Sequence, residues 1–247
     1  MPTMDAARAF EHDVMHVEDE AGLAALLEEV CKRLGCSWFA LSHHVDFLAA
    51  PDRGIRVHNY PEDWALWFDR RRLGISDPVH RASQRSAAGF LWHNMARYDP
   101  PREGDAEILE EARRHGIGDG VTIPAHIPGE AHGSISFAWE PGRAAIPEAL
   151  AFVRSIGGPI FEAARLLANP GLANPIARLT DRQRECLIWA AKGTPVWAIA
   201  RIVGLSPDTV KEHLKNARAR YDANGGTLLA VRALYDGDIS FADIAQR

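Results

Sequence analysis

"LTDRQRECLIWAAKGTPVWAIARIVGLSPDTVKEHLKNARARY", residues 179–221, carries three helix starts in close succession. Thr180 and Gln183 stand in capping-box spacing, so a hydroxyl and a side-chain amide can each satisfy an orphan backbone N–H. Leu187, Ile188 and Ala191 then give an apolar face, and Gly193 supplies a stop. Thr194-Pro195 and Ser206-Pro207 repeat one device: a hydroxyl at the N-cap and proline at the first helical position, where its missing N–H costs nothing. The spacing predicts a short helix, a turn at Gly204 and a second helix, which is a helix-turn-helix.

The second of these helices sorts its residues by face. Val210, Leu214, Ala217 and Tyr221 recur at i, i+4, i+7 and i+11, a core stripe, while Lys211, Lys215 and Arg218 with Glu212 fall on another face. A recognition helix needs that division, because its outer face must meet base edges and phosphates. A solvated basic face on a small bundle has the same periodicity, so the pattern alone leaves both readings open.

Charge separates this region from the rest. The chain has 247 residues and a formal net charge of -5, yet residues 174–247 hold 11 Lys+Arg against 8 Asp+Glu. The first 173 residues hold 17 against 25, and residues 178–220 hold 9 against 4. An acidic body with a compact basic module points to nucleic acid at one end only. The boundary is "ANPGLANPIARL", residues 168–179, where two Asn-Pro steps and a glycine disfavour helix. The expected division is a domain over 1–168, a linker over 169–178 and a smaller domain over 179–247.

The larger part mixes both kinds of element. Leu23, Leu26, Leu27, Val30 and Leu34 have helical spacing between Asp19, a candidate N-cap, and Gly35, a candidate stop. "SWFALSHHV", "GIRVHNY", "GVTIPAHI" and "GSISFAWE" read as strands, with helices over 105–115 and most of 147–168. Helices at both ends around four or five short strands predict an α/β/α sandwich with an antiparallel sheet, hence an α+β chain that closes with an all-α domain.

Several function classes find no support. No apolar run approaches the roughly 18 residues of a membrane helix, and "MPTMDAARAFEHDV" lacks the basic start and apolar stretch of a secretory signal. Cys31, Cys36 and Cys186 are too few for a disulfide framework, so a cytoplasmic location is expected. His12 and His16, or His43 and His44, lack any accompanying HExxH or paired CxxC, and no metal site is expected. There is no GxxxxGK[ST] loop and no GxSxG elbow, so neither a nucleotide cofactor nor an enzyme is expected.

The module at 179–225 resembles the LuxR-type DNA-binding domain, on Leu179, Thr180, Glu185, Leu187, Gly193, Ile199, Ala200, Ser206, Thr209, Val210, Lys211, His213 and Leu214. The resemblance implies base contacts from Lys211, Glu212 and Lys215, phosphate contacts from Thr194, Thr209 and Asn216, and Arg218 on the same basic face. Gln183 and Ala198 stand where the family usually has Glu, and Gly226 falls near a usual Arg. Upstream, "NYPEDWALWF" (59–68), "DPV" (77–79), Trp92, "GIGDGVTIPAHI" (116–127) and "SIS" (134–136) resemble, in this order, the autoinducer-binding domain of LuxR-type quorum-sensing receptors.

That second resemblance implies a pocket for an N-acyl homoserine lactone in a homodimer that binds a partly palindromic double-stranded DNA site. It implies that Tyr60 donates to the amide carbonyl, Trp64 to the lactone carbonyl, and that Asp77 accepts the amide N–H. Ser136 becomes a further polar contact, and Phe68, where the family often has Tyr, forms a ring wall with Trp92. Such a ligand needs one fixed acceptor, a few donors and an apolar slot. Asp77 can be the acceptor and the Tyr60 phenol and Trp64 indole the donors. Tyr60, Trp64 and Phe68 repeat every four residues and so would share a helix face. Rings at that spacing are also ordinary core, and an Asp before Pro78 is also an ordinary cap. A receptor of the same build for another small molecule, or a ligand-independent dimer, are the alternatives.

Overall fold

The computed structural model describes residues 4–49, 54–128, 130–168 and 179–245, which fall into two compact units. The linker expected over 169–178 lies outside the described residues.

The first unit has the element order α1 (Met4–Val14), α2 (Glu20–Leu34), β1 (Trp38–His43), β2 (Arg56–His58), α3 (Glu62–Arg70), α4 (Pro78–Ser83) and β3 (Phe90–Leu91). A 3-10 turn over Trp92–Arg97, α5 (Asp105–Arg114), β4 (Gly120–Ala125), β5 (Gly133–Ala138) and α6 (Pro147–Ala168) complete it. The five strands form one antiparallel sheet in the order β2-β1-β5-β4-β3. Helices on both faces make it the expected α/β/α sandwich.

Strand alternation divides the sheet chemically. Phe39, Leu41, Val57, Val121, Ile123, Ile135 and Phe137 point to one face and pack with α1, α2 and α6. The opposite face is mixed: the register aligns His58, Ala40, Ser136, Thr122 and Phe90 in one row, and Arg56, Ser42, Ser134 and Pro124 in the next. Successive residues of a strand point to opposite faces, so these rows lie about 7 Å apart along the strands. Helices α3, α4 and α5 cover this second face around a smaller core that includes Trp64, Val79, Trp92, Ile108 and Ala112.

Several ends follow the sequence. Asp19 accepts the Gly22 N–H at 2.7 Å, and Gly35 closes α2 in the left-handed region. Two expectations are corrected. Tyr60 does not share a helix with Trp64 and Phe68, because Pro61 is extended and α3 begins at Glu62. The proline holds the chain extended just before the helix, so Tyr60 belongs to the segment leaving β2.

The second unit contains α7 (Asp181–Ala191), α8 (Val196–Val203), α9 (Pro207–Arg220), α10 (Gly226–Tyr235) and α11 (Phe241–Ala245). The Thr180/Gln183 capping box forms with both bonds present, and Ser206 caps α9 by accepting from Thr209 N–H. Gly204 turns from α8 to α9 with φ +69°, a conformation that favours glycine. The second correction concerns α8: Pro195, not Thr194, occupies the cap position, and no side chain caps that helix. Cys186, Ile199, Ala200, Val203 and Val210 form one buried cluster, and Leu187, Ala217, Tyr221, Leu229 and Ala233 another.

Candidate ligand cavity and nucleic-acid face

Between the mixed face of the sheet and α3–α5 lies a cavity of about 90 Å³. All six residues expected there line it: Tyr60, Trp64, Phe68, Asp77, Trp92 and Ser136. They arrive from the end of β2, two turns of α3, the start of α4, the turn after β3 and the middle of β5. No periodicity within one element could have assembled them.

Each polar group has a definite state. Asp77 is 6% exposed, and its Oδ1 accepts the His80 backbone N–H at 2.9 Å as the N-cap of α4. The cap and the cavity wall are therefore the same carboxylate. No donor among the described residues reaches its other oxygen, and none pairs with the Tyr60 hydroxyl or the Trp64 indole N–H. Burial first, then the charge of Asp77, pushes the Tyr60 phenol well above its ordinary pKa, which keeps it a neutral donor. Trp92 differs, since its indole N–H donates to Thr122 Oγ1 at 2.8 Å and that oxygen lies 2.8 Å from Ser136 Oγ. Gly120 permits this placement, because a Cβ there would sit 2.6 Å from the Trp92 ring.

The rings stack into a wall. Trp64 lies 5.3 Å from Trp67 and 5.8 Å from Phe68, and Phe68 meets His80 edge-on at 5.7 Å. Behind Asp77, the Arg81 guanidinium donates to Asp99 at 2.7 Å and to Asp105 at 2.7 and 3.1 Å. This ties α4 to α5 and the loop before it. Burial alone would raise both carboxyl pKa values, but hydrogen bonds from Arg81 and Arg102 outweigh it and hold them below the ordinary carboxylate value.

Sequence reasoning passed over Ser42, His58, His80 and Ser134, which also line the cavity. Alternation along "SWFALSHHV" and "GSISFAWE" was the signal available, since it puts Ser42, Ser134 and Ser136 on one face of the sheet. His44 is buried behind them, bonded to Ser134 Oγ at 2.9 Å and stacked on His80 at 3.9 Å. Burial, then the neighbouring His80, lowers its pKa, so its ring is neutral near pH 7.

In the second unit, Thr209, Lys211, Glu212, Lys215 and Asn216 are exposed on α9, Arg218 is half-buried beside them, and Thr194 is half-buried before α8. Lys211 pairs with Asp208 at 3.0 Å and Lys215 with Glu212 at 3.8 Å. Exposed pairs of this kind are worth about 0–1 kcal/mol, so both ammonium groups remain available to a stronger anion. Val210 and Ala217 are fully buried on the opposite side, as the core stripe requires.

Among the described residues no group of three or more His, Cys, Asp or Glu is arranged to hold a metal ion, and no helix is long and apolar enough to cross a membrane.

Comparison with known proteins places these features. Residues 19–164 match the autoinducer binding domain, and residues 177–233 match the bacterial regulatory proteins of the luxR family. The transcriptional activator LuxR of Aliivibrio fischeri ES114 is 26% identical over 220 residues, covering 87% of this chain and 86% of its own. The transcriptional activator VanR of Vibrio anguillarum is 31% identical over 189 residues, covering 74% and 76%. In fold, the chain is similar to SdiA of Escherichia coli, with a TM-score of 0.68, 23% identity and coverage of 96% and 98%. A chain that joins an autoinducer-type cavity to a helix-turn-helix unit, and matches both domains in this order, belongs to the luxR family of bacterial regulatory proteins, as a quorum-sensing transcriptional regulator and not an enzyme.

Proposed function

We propose that the first unit binds an N-acyl homoserine lactone in the cavity beside α3 and α4, and that occupancy supports a homodimer. The dimer presents two copies of α9 to a partly palindromic DNA site and regulates transcription from it in the cytoplasm. On this reading residues 1–168 form the ligand-binding and dimerisation domain, 169–178 the linker and 179–247 the DNA-binding domain.

One observation carries the ligand. Two donors and one acceptor line the cavity without protein partners: the Tyr60 hydroxyl, the Trp64 indole N–H and the second oxygen of Asp77. A ligand with two carbonyls and one amide N–H matches that set group for group. Unpaired polar groups in a partly dry site cost about 1–3 kcal/mol each, and this ligand removes that cost. Trp92 and Phe68 then serve as walls, since the Trp92 N–H is already held by Thr122. Ser136 reaches the ligand through the hydroxyl it shares with Thr122.

The test is to produce the full chain in cells given a panel of acyl homoserine lactones, purify it, and identify small molecules released on denaturation by mass spectrometry. Stoichiometric recovery of one lactone supports the reading. Recovery of none, with folded protein that still binds DNA, overturns it in favour of another small molecule or a ligand-independent dimer.

A further inference from the structure

Five of the eleven histidines of the chain gather where α4 meets the sheet. His43 ends β1 and His44 follows it, His126 follows β4, His132 precedes β5, and His80 lies on α4. The His44 and His80 rings stack face to face, with 3.9 Å between centres and 11° between planes. His126 Nδ1 lies 3.1 Å from His132 Nδ1, and His126 Nε2 lies 3.1 Å from the carbonyl of Ser83, the last residue of α4. Gly74 permits the close approach, since a Cβ there would fall 2.1 Å from the Val45 carbonyl oxygen, and its own carbonyl accepts from His80 Nδ1 at 2.8 Å. Histidines thus tie α4 to the sheet, while Arg81 ties it to α5 and the loop before α5.

This packing favours neutral rings. A carbonyl only accepts, so the protons sit on His80 Nδ1 and His126 Nε2. His126 Nδ1 is then an acceptor and His132 Nδ1 its donor, and a further proton on His126 Nδ1 would set two N–H groups head to head. His44 is 5% exposed, its Nε2 is bonded to Ser134 Oγ at 2.9 Å, and its Nδ1 has no partner among the described residues. A charge on that ring would be buried and pressed against His80. Burial first, then His80, His132, His126 and His43, accordingly lower its pKa. Burial and then His126 lower that of His132. The charged groups on the elements packed here have other tasks: Asp77 caps α4, Arg81 binds Asp99 and Asp105, Asp46 pairs with Arg72, and Glu162 pairs with Arg165. Glu130 stands two residues before His132 in the chain.

We infer that these rings form a proton-operated latch: neutral, the His44–His80 stack and the His126–His132 pair hold α4 and its Asp77 in the cavity wall, and mild acidification frees α4 from the sheet. The sign follows from linkage. Open, the rings take protons at the ordinary histidine pKa of about 6.5, whereas latched His44 and His132 take them only at lower pH. The latch is therefore at full strength above about pH 6.5 and weakens as pH falls below it. About one unit lower, each ring that is neutral when latched and free when open favours opening by about tenfold. The Arg81 ion pairs persist in this window, because Asp99 and Asp105 are held below the ordinary carboxylate value. The latch concerns the wall of the cavity and not the identity of its ligand, so it stands or falls apart from the lactone reading.

The experiment is hydrogen exchange of the full chain at pH 7.5, 6.5 and 5.5, read by mass spectrometry, with labelling times scaled to the intrinsic rate at each pH. Protection of α4 should fall about tenfold or more between pH 7.5 and 5.5, while that of α2, on the other face of the sheet, holds. His44→Phe keeps a flat ring against His80 but takes no proton, so it should retain most of the α4 protection at pH 5.5. His126→Gln with His132→Gln, both at exposed positions, should lower α4 protection at pH 7.5 yet reduce its pH dependence. Constant α4 protection in the wild type overturns the inference. Parallel loss in α2 also overturns it, since the whole unit then unfolds together. A folded His44→Phe that loses as much as the wild type does the same. So does an undiminished pH dependence in the double glutamine variant, whether or not His44→Phe folds.

Discussion

Asp77 accepts the backbone N–H of His80 at 2.9 Å and, with the same carboxylate, forms part of the cavity wall. On the proposed reading one carboxylate both caps α4 and binds the ligand, so the usual alanine replacement would confound the two roles. Asp77→Ala should lower stability by about 1 kcal/mol through loss of the cap, whereas Asp77→Asn retains a cap acceptor and should cost only a few tenths. Both should lose most of the thermal shift given by the preferred lactone, a shift set by RT ln(1 + [L]/Kd). A full ligand response in Asp77→Asn would reduce this carboxylate to a helix cap.

Trp92, Thr122 and Ser136 form a chain of hydrogen bonds across the sheet face. Thr122→Val keeps the shape but orphans the Trp92 N–H, at a cost of about 1–3 kcal/mol. Trp92→Phe in the same chain removes the orphan, so the double variant should be more stable than the sum of the single losses predicts. Urea unfolding of the four proteins measures this, and strict additivity would show that the bond contributes nothing.

The Arg81 cluster predicts an acid-sensitive first unit. Asp99 and Asp105 have folded pKa values below their ordinary ones, so they bind fewer protons folded than unfolded. Their contribution is fully present above about pH 4 and is lost as pH falls through the depressed folded values. Between about pH 5 and 3 the urea midpoint should fall. Asp99→Asn should start lower at pH 7 yet lose less over that interval, and equal losses in the two proteins would remove Asp99 from the account.

On α9, Lys211→Ala with Lys215→Ala should weaken specific DNA binding strongly while leaving the lactone thermal shift unchanged. Each base contact is worth about 1–3 kcal/mol, and each change counts twice in a dimer. Unaltered affinity in a gel-shift titration would place the reading face elsewhere on the helix.

A fragment of residues 176–247 should fold by itself, because its two buried clusters are built wholly from residues after 179. It should bind DNA weakly, lacking a partner for the second half-site. Circular dichroism without helical signal would show instead that this unit needs the first for its core.

The sequence determined whatever is local. Hydroxyl-then-proline starts, a capping box and a glycine turn act over four residues, so the α9 cap, the Gly204 turn and the buried stripe of Val210 and Ala217 were legible in "GLSPDTVKEHLKNARARY". Trp64 and Phe68 were legible as one helix face for the same reason. Where two local rules competed, reading failed: Pro61 and Pro195 each took the cap position, which removed Tyr60 from α3 and Thr194 from the start of α8. Only the tertiary structure decided what stands beside what. Ser42 meets Ser134 through strand pairing between segments far apart in the chain, and His80 turns its ring by stacking on His44 and bonding Gly74. A strand's own sequence gives which residues share a face, but not which strand lies next to it or in what register. Trp64, Phe68 and Asp77 stand in local motifs, while the row that brings Ser42 beside Ser134 exists only once the sheet has formed.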